Sequence, residues 1–295
     1  MKIIECVPNF SEGRDPDKVE RIADAVRSRA GVRLLDVNLD TDHHRSVLTF
    51  LGEAEAVIQA ALAAGEVALS LIDISCHEGV HPRIGAIDVV PFVPLGDAGM
   101  DDAVCAAHRF GSLFSERFGV PVYYYGEAAL ERTRCELSDI RRGGIEGLKD
   151  RIGSTGWYPD AGPTVCHEQG GAVAVGARMP LVAYNINLDS DDLDLAKAIA
   201  RSIRESSGGL PYVKALGLFL NSRNIAQVSM NLTNFRETSI RTVFDRVQSE
   251  AAAAGVSVLE SELIGLAPRA ALDEETARHI RLNGFSDKKI IETYL

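Results

Sequence analysis

Between residues 71 and 94 the chain reads LIDISCHEGVHPRIGAIDVVPFVP, gathering two histidines, a carboxylate and an arginine into a loop punctuated by Gly79, Pro82 and Gly85. Loops held on rigid elements carry chemistry. His77-Glu78-Gly79-Val80-His81 has the H-E-x-x-H spacing of zinc peptidases, a chemistry that needs a helix to bring both imidazoles onto one face. Gly79 weakens a helix, and Pro82 drives His81 toward extended backbone. With no third ligand apparent, no metal is expected. What remains is His81, either an imidazole that exchanges protons near neutral pH or a hydrogen-bonded structural group. The loop residues alone leave both open.

The elements that must position this loop recur in a repeating order. Residues 2–7 read as a strand, ended by Pro8 and by the turn formers Asn9, Ser11 and Gly13. Asp15 caps a helix with Pro16 at its first position, and Val19, Ile22, Ala23 and Val26 follow at helical spacing. Strands over 32–37 and 46–51, a helix over 54–71 and a strand over 87–93 complete a βαββαβ order. A helix over 100–118 and a strand over 120–125 come next, and then a glycine-rich stretch, 143–171, that reads mostly as loop. The order then repeats, with strands over 181–186, 212–220, 225–232 and 256–264. One helix, capped by Asp191 or Asp192, carries Ala196, Ile199, Ala200 and Ile203; another is marked by Ile240, Val243, Phe244 and Val247. Two split βαβ units predict an α+β fold of two ferredoxin-like βαββαβ subdomains, residues 1–180 and 181–295, the first with a larger mixed sheet.

Composition narrows the function classes. The 295 residues are 46% hydrophobic, as in a soluble globular protein. The apolar stretch 54–74 is broken by Glu55, Gln59, Glu66 and Asp73, so it reads as an amphipathic helix and not as a membrane span. No leader pattern precedes the first strand, which predicts a cytoplasmic protein. Cys6, Cys76, Cys105, Cys135 and Cys166 are odd in number and lack paired C-x-x-C spacing, which suggests neither a disulfide framework nor a zinc ribbon. A net charge of −11, from 31 basic and 42 acidic residues, disfavours nucleic acid as a general partner. Arg141, Arg142, Lys149 and Arg151 form a local basic cluster, either a guide for an anionic tail or a solvated helix face. Gln227, Ser229 and Asn231 alternate onto one strand face, and Asn185 and Asn187 share another. Such faces are either wet or line a cavity, where their amides suit a polar heterocycle.

The run His81-Pro82-Arg83-Ile84-Gly85-Ala86-Ile87-Asp88-Val89 resembles the signature segment of the glutamate formimidoyltransferase (formiminotransferase) family. Further matching blocks are 5–13 (ECVPNFSEG), 120–129 (VPVYYYGEAA), Gly176-Ala177-Arg178, 183–188 (AYNINL) and 224–232 (NIAQVSMNL), in the family's order over nearly the whole chain. The resemblance implies transfer of a formimino group from N-formimino-L-glutamate to N5 of tetrahydrofolate, releasing L-glutamate in histidine degradation. It also implies tetrahydrofolate as a cosubstrate, no metal, a tunnel between two subdomains and a homodimer. The form is the monofunctional one without the cyclodeaminase domain, so that a separate cyclodeaminase would act next.

By the same resemblance His81 is the catalytic acid and base. The folate-binding loop is Gly162, Pro163, Thr164, Val165, Cys166, His167, Glu168, Gln169, Gly170 and Gly171. Arg45 and Arg83 are candidates for holding substrate carboxylates, with structural salt bridges as the competing reading. Asp40 and Glu127 are candidates for stabilising positive charge, and Asn9, Asn185, Asn187 and Gln227 complete the substrate-binding set. Departures from the family pattern are Glu78 where lysine is common, Val80 where glutamate is common, His44 where asparagine is usual and Asn38 where aspartate often stands. They bear on the donor, and keep open a formyl transfer between 5-formyltetrahydrofolate and glutamate, or folate binding without turnover.

Overall fold

Proline cannot donate to a sheet ladder, and at position 8 it divides the first strand into two pieces. The computed structural model describes residues 1–78 and 82–295 and separates into two compact units, Met1–Arg178 and Met179–Leu295. In the first unit β1 (Lys2–Cys6) and β2 (Asn9–Phe10) lie end to end between β4 (Arg45–Gly52) and β5 (Ile87–Gly96), antiparallel to both. A hairpin adds β3 (Val32–Asp40) outside β4. On the other side β7 (Val173–Ala177) and then β6 (Val122–Gly126) join parallel to β5, making the sheet mixed.

Side chains on a strand alternate between faces. Ile4, Cys6, Phe10, Leu48, Phe50, Val90 and Phe92 point into a core shared with α1 (Pro16–Arg27), α2 (Ala54–Leu71) and α3 (Met100–Phe118). The Asp15 carboxylate accepts from the amides of Asp17 and Lys18, as its N-cap position requires. Apolar α2 buries Val57, Ile58, Leu62 and several alanines in this core, beside α1 and α3. Its composition reflects burial within the unit.

Most of the stretch 143–171 is loop, as expected, but one part of it is not. Gly144–Arg151 forms a helix, α5, entered through Gly143 in the left-handed region at φ 77°, which glycine adopts without strain. With α4 (Leu137–Ile140), α5 carries Ile140 and Leu148 onto the second face of the sheet, against Ile84, Val89, Tyr123 and Tyr125. The strand β7 was also not anticipated. Its five residues are buried on both faces, so no alternation marks them.

In the second unit β8 (Val182–Leu188), α6 (Leu193–Ile203), β9 (Val213–Leu220), β10 (Ile225–Leu232), α7 (Ile240–Ala253) and β11 (Val258–Ile264) follow in the expected order. Their antiparallel sheet has the order β11-β8-β10-β9. Tyr184, Ile186, Val228 and Met230 pack beneath Ile199, Ile203, Val243 and Phe244 of the two helices. A short helix, α8 (Glu274–His279), closes the edge of this core with Ala277. The α+β class and the larger mixed sheet of the first unit agree with the sequence.

Candidate functional site

The alternation that sends Ile4, Cys6 and Phe10 to the helices sends Glu5 and Asn9 to the opposite face of the first unit's sheet. Asn9 stands beside Val47 and Val89, and its amide donates to the Val7 carbonyl at 3.0 Å. Arg45 lies two residues along from Val47, paired across the hairpin with Asp40. Asn9, Asp40 and Arg45 therefore share one sheet face.

Asp40 is held by its own turn. It accepts from the His43 amide at 2.8 Å and meets His43 Nδ1 at 2.8 Å. Burial opposes its charge, but His43 and Arg45 outweigh that and hold the carboxyl below its usual range. Burial and the neighbouring Arg141 pull the Arg45 guanidinium down to about 10, with Asp88 and Asp40 opposing, so it stays cationic at neutral pH. Asp88 in turn accepts from the Ile84 amide at 2.9 Å and pairs with Arg141. That clamp closes the turn between Arg83 and β5.

His81 lies outside the described residues, as do Gly79 and Val80, but the two sides of their loop are described. A short 3-10 turn, Ile74–Cys76, is capped by Asp73 and gives way to extended backbone at His77. The helix that an H-E-x-x-H zinc site needs is not present at its first histidine. His77 Nε2 instead meets the His44 carbonyl at 2.9 Å, and the two rings stack at 4.1 Å and 13°. The second ring is fixed by oxygen acceptors on both sides: His44 Nδ1 meets the Glu78 carbonyl at 2.7 Å, and Nε2 meets Glu12 at 3.2 Å. Burial lowers the His77 pKa, reinforced by His44 and Arg83 against the bond to the His44 carbonyl. Burial pushes Glu12 up, yet the Arg14 and Asp15 amides and Lys18 more than offset it. His44 has φ 48°, a region that asparagine also tolerates. Across the loop, Arg83 donates to the His77 carbonyl. Both flanks of His81 are thus tied.

Residues 162–171 pack against the same segment. His167 and Gly171 exchange backbone hydrogen bonds of 2.8 and 2.9 Å, while the Ala86 amide donates to Gly170 O and the Ile74 amide to Gln169 O, each at 2.9 Å. A Cβ at Gly85 would stand 2.0 Å from Ala172 O, so glycine is required there by neighbouring backbone. The glycines at 170 and 171 are likewise crowded by side chains and backbone of their own unit. Thr164, Val165, Glu168 and Gln169 stay exposed. Glu127 is also exposed, at the end of β6, its amide donating to Ala177 O at 2.9 Å.

In the second unit Gln227 lies directly across from Asn187, and Ser229 across from Asn185, on the face away from α6 and α7. Gln227 Nε2 donates to Asn187 Oδ1 at 2.8 Å, and Asn187 Nδ2 donates to Glu262 at 2.7 Å and Glu260 at 3.3 Å. Arg223 pairs with Glu260 at 2.6 Å. The carboxylates fix which way each amide points. Asn185, Asn187 and Gln227 are all buried.

Sequence reasoning passed over Glu5, Glu12 and Asp88 as site residues. Glu5 had a readable signal, a carboxylate inside an apolar strand. Arg141 had been assigned to a basic cluster, and the structure divides that cluster: Arg141 is committed to Asp88, and Arg151 lies 4.1 Å over the Trp157 ring and donates to the Arg142 and Ile140 carbonyls.

Residues 3–178 match the family model for the formiminotransferase domain, N-terminal subdomain, and residues 183–290 match that for the formiminotransferase domain. A glutamate formimidoyltransferase of Thermoplasma acidophilum is 45% identical over 294 residues, covering 99% of this chain and 97% of the relative. One of Streptococcus pyogenes serotype M1 is 40% identical, covering 100% and 99%. A formimidoyltransferase-cyclodeaminase of Gallus gallus is 43% identical over 95% of this chain, and 53% of that protein is matched.

Proposed function

The chain belongs to the formiminotransferase family, and from that premise we propose that it transfers a formimino group from N-formimino-L-glutamate to N5 of tetrahydrofolate, releasing L-glutamate. The observation that carries this reading is the full-length likeness to two glutamate formimidoyltransferases. Tetrahydrofolate is a cosubstrate.

In the reaction the N5 lone pair attacks the amidinium carbon, and a new C–N bond forms. N5 loses a proton, the departing glutamate nitrogen gains one, and the old C–N bond breaks. Positive charge persists throughout, so carboxylates suit the intermediate better than an oxyanion hole does. His81 is the group assigned to carry the proton, a role that supplies about 10²- to 10⁴-fold. In support, the His44–His77 stack and the Arg83 bond fix both ends of its loop, and the Asp88–Arg141 clamp fixes the backbone that follows. Arg45 and Arg83 remain the candidates for substrate carboxylates, Asn9 for positioning, Asp40 and Glu127 for opposing positive charge. The loop 162–171 is the proposed folate contact, and the amides of Asn185, Asn187 and Gln227 are further substrate-binding candidates.

The finer parts of the reading rest on the same likeness: two ferredoxin-like subdomains, a cytoplasmic homodimer, and a product passed to a separate cyclodeaminase. The strand orders of the two sheets support the first of these. The test is a donor assay. Purified chain given N-formimino-L-glutamate and tetrahydrofolate should release L-glutamate, whereas 5-formyltetrahydrofolate with L-glutamate should turn over far more slowly. Release of no glutamate from the formimino donor would overturn the proposal.

A further inference from the structure

Several enclosed carboxylates of the first unit's sheet and loops are committed to hydrogen bonds. Glu12 accepts from two backbone amides and meets His44 and Lys18. Asp40 is held by His43, and Asp88 by Ile84 N and Arg141. Asp160 takes both Arg134 nitrogens, at 2.7 and 2.8 Å, and the Tyr124 amide at 2.7 Å. Glu5 accepts none among the described residues. Its cross-strand neighbours are Leu51 and Val93, which have nothing to donate from their side chains. It is 6% exposed, enclosed without being sealed.

An enclosed carboxylate without a partner is costly, and a fold that gains nothing from it would replace it with an apolar residue. Burial pushes Glu5 up to about 7, with Arg178 opposing from beyond the end of β7. The other titratable groups near it are Cys6, its neighbour on the strand, and Tyr125 of β6, which shares the Arg178 field. Glu5 also lies on the sheet face that carries Asn9 and Arg45.

We propose that Glu5 is a substrate anchor: its two oxygens accept the paired N–H groups of the donor's planar amidinium and thereby select a formimino donor over a formyl one. This rests on the transfer reading above and names the group that sets its donor. An amidinium presents two N–H bonds along one edge, the geometry a carboxylate accepts in two parallel, charge-assisted hydrogen bonds. A formyl group presents carbonyl lone pairs to the same oxygens. That arrangement repels, so the carboxylate both attracts the correct donor and rejects its neutral analogue.

The test compares equilibrium binding of N-formimino-L-glutamate and N-formyl-L-glutamate, by calorimetry at pH 8, to the wild-type chain and to Glu5→Gln. Wild type should prefer the formimino compound by at least about tenfold, as loss of a hydrogen bond to a charged group implies, and Glu5→Gln should abolish most of that preference. The affinity for tetrahydrofolate should not change. A second readout guards against a merely structural role: Glu5→Gln should melt at a higher temperature than wild type, because it removes an unpaired enclosed charge. An unchanged preference, an absence of preference in wild type, or a lowered melting temperature would each overturn the proposal. Selective binding without glutamate release would instead sink the transfer reading and leave the anchor standing.

Discussion

Arg141→Met is the sharpest test of how the loop after His81 is held. The substitution leaves the Asp88 carboxylate, whose side chain is 3% exposed, with the Ile84 amide at 2.9 Å and the field of Arg45, but without its ion pair to Arg141. Removing one partner of a buried pair costs about 3–5 kcal/mol. Two features place this case lower. Arg141 is itself 14% exposed, and its departure relieves repulsion of Arg45. A loss of about 2–3 kcal/mol is therefore expected, by scaling down from that range. Trp157 is the sole tryptophan and packs in the first unit beneath Arg151, so its fluorescence reports this unit during urea unfolding. With a slope of about 2 kcal/mol per M the midpoint should fall by about 1 M or slightly more. Asp88→Asn in the same chain keeps an acceptor for Ile84 while removing the stranded charge, and should recover most of the loss. A midpoint shift under about 0.3 M at that slope, or a double variant no better than the single one, would refute the reasoning.

Two further outcomes follow from buried groups. Folded chain holds the Glu5 proton up to about pH 7, whereas an ordinary glutamate releases it near 4.5. Between those values the folded state binds more protons, so this group makes stability fall as pH rises. Relative to wild type, Glu5→Gln should gain nothing below pH 4.5 and about 3 kcal/mol above pH 7, measured by urea titration across the range; a pH-independent difference would contradict this. Asn187→Leu strands the Gln227 amide and removes a donor from Glu262, and should cost about 2 kcal/mol. Circular dichroism through a urea series measures it, and a loss below about 0.5 kcal/mol would mean that the amide chain is not a unit.

Much of the architecture was legible because it depends on local pattern. Val19, Ile22, Ala23 and Val26 announce α1, and the alternation from Ala226 to Leu232 announces β10. Where pattern fails, the reason is physical. The eight residues of α5 include two glycines and only two buried side chains, and β7 is covered on both faces. The site was legible in residue type and not in pairing. His44 meets His77 across 33 residues, and Asp88 meets Arg141 across 53, through a hairpin and a helix pair whose packing no local signal specifies. Glu5 was visible as a charge in an apolar strand. That it accepts no hydrogen bond among the described residues depends on the cross-strand placement of Leu51 and Val93.

The measurement that bears most directly on the mechanism is the steady-state rate of L-glutamate release from N-formimino-L-glutamate and tetrahydrofolate by His81→Ala beside wild type, with tetrahydrofolate affinity measured on both. A proton-carrying imidazole predicts a fall in kcat of about 10²- to 10⁴-fold with folate affinity little changed. Near-wild-type turnover by a folded His81→Ala chain would contradict it.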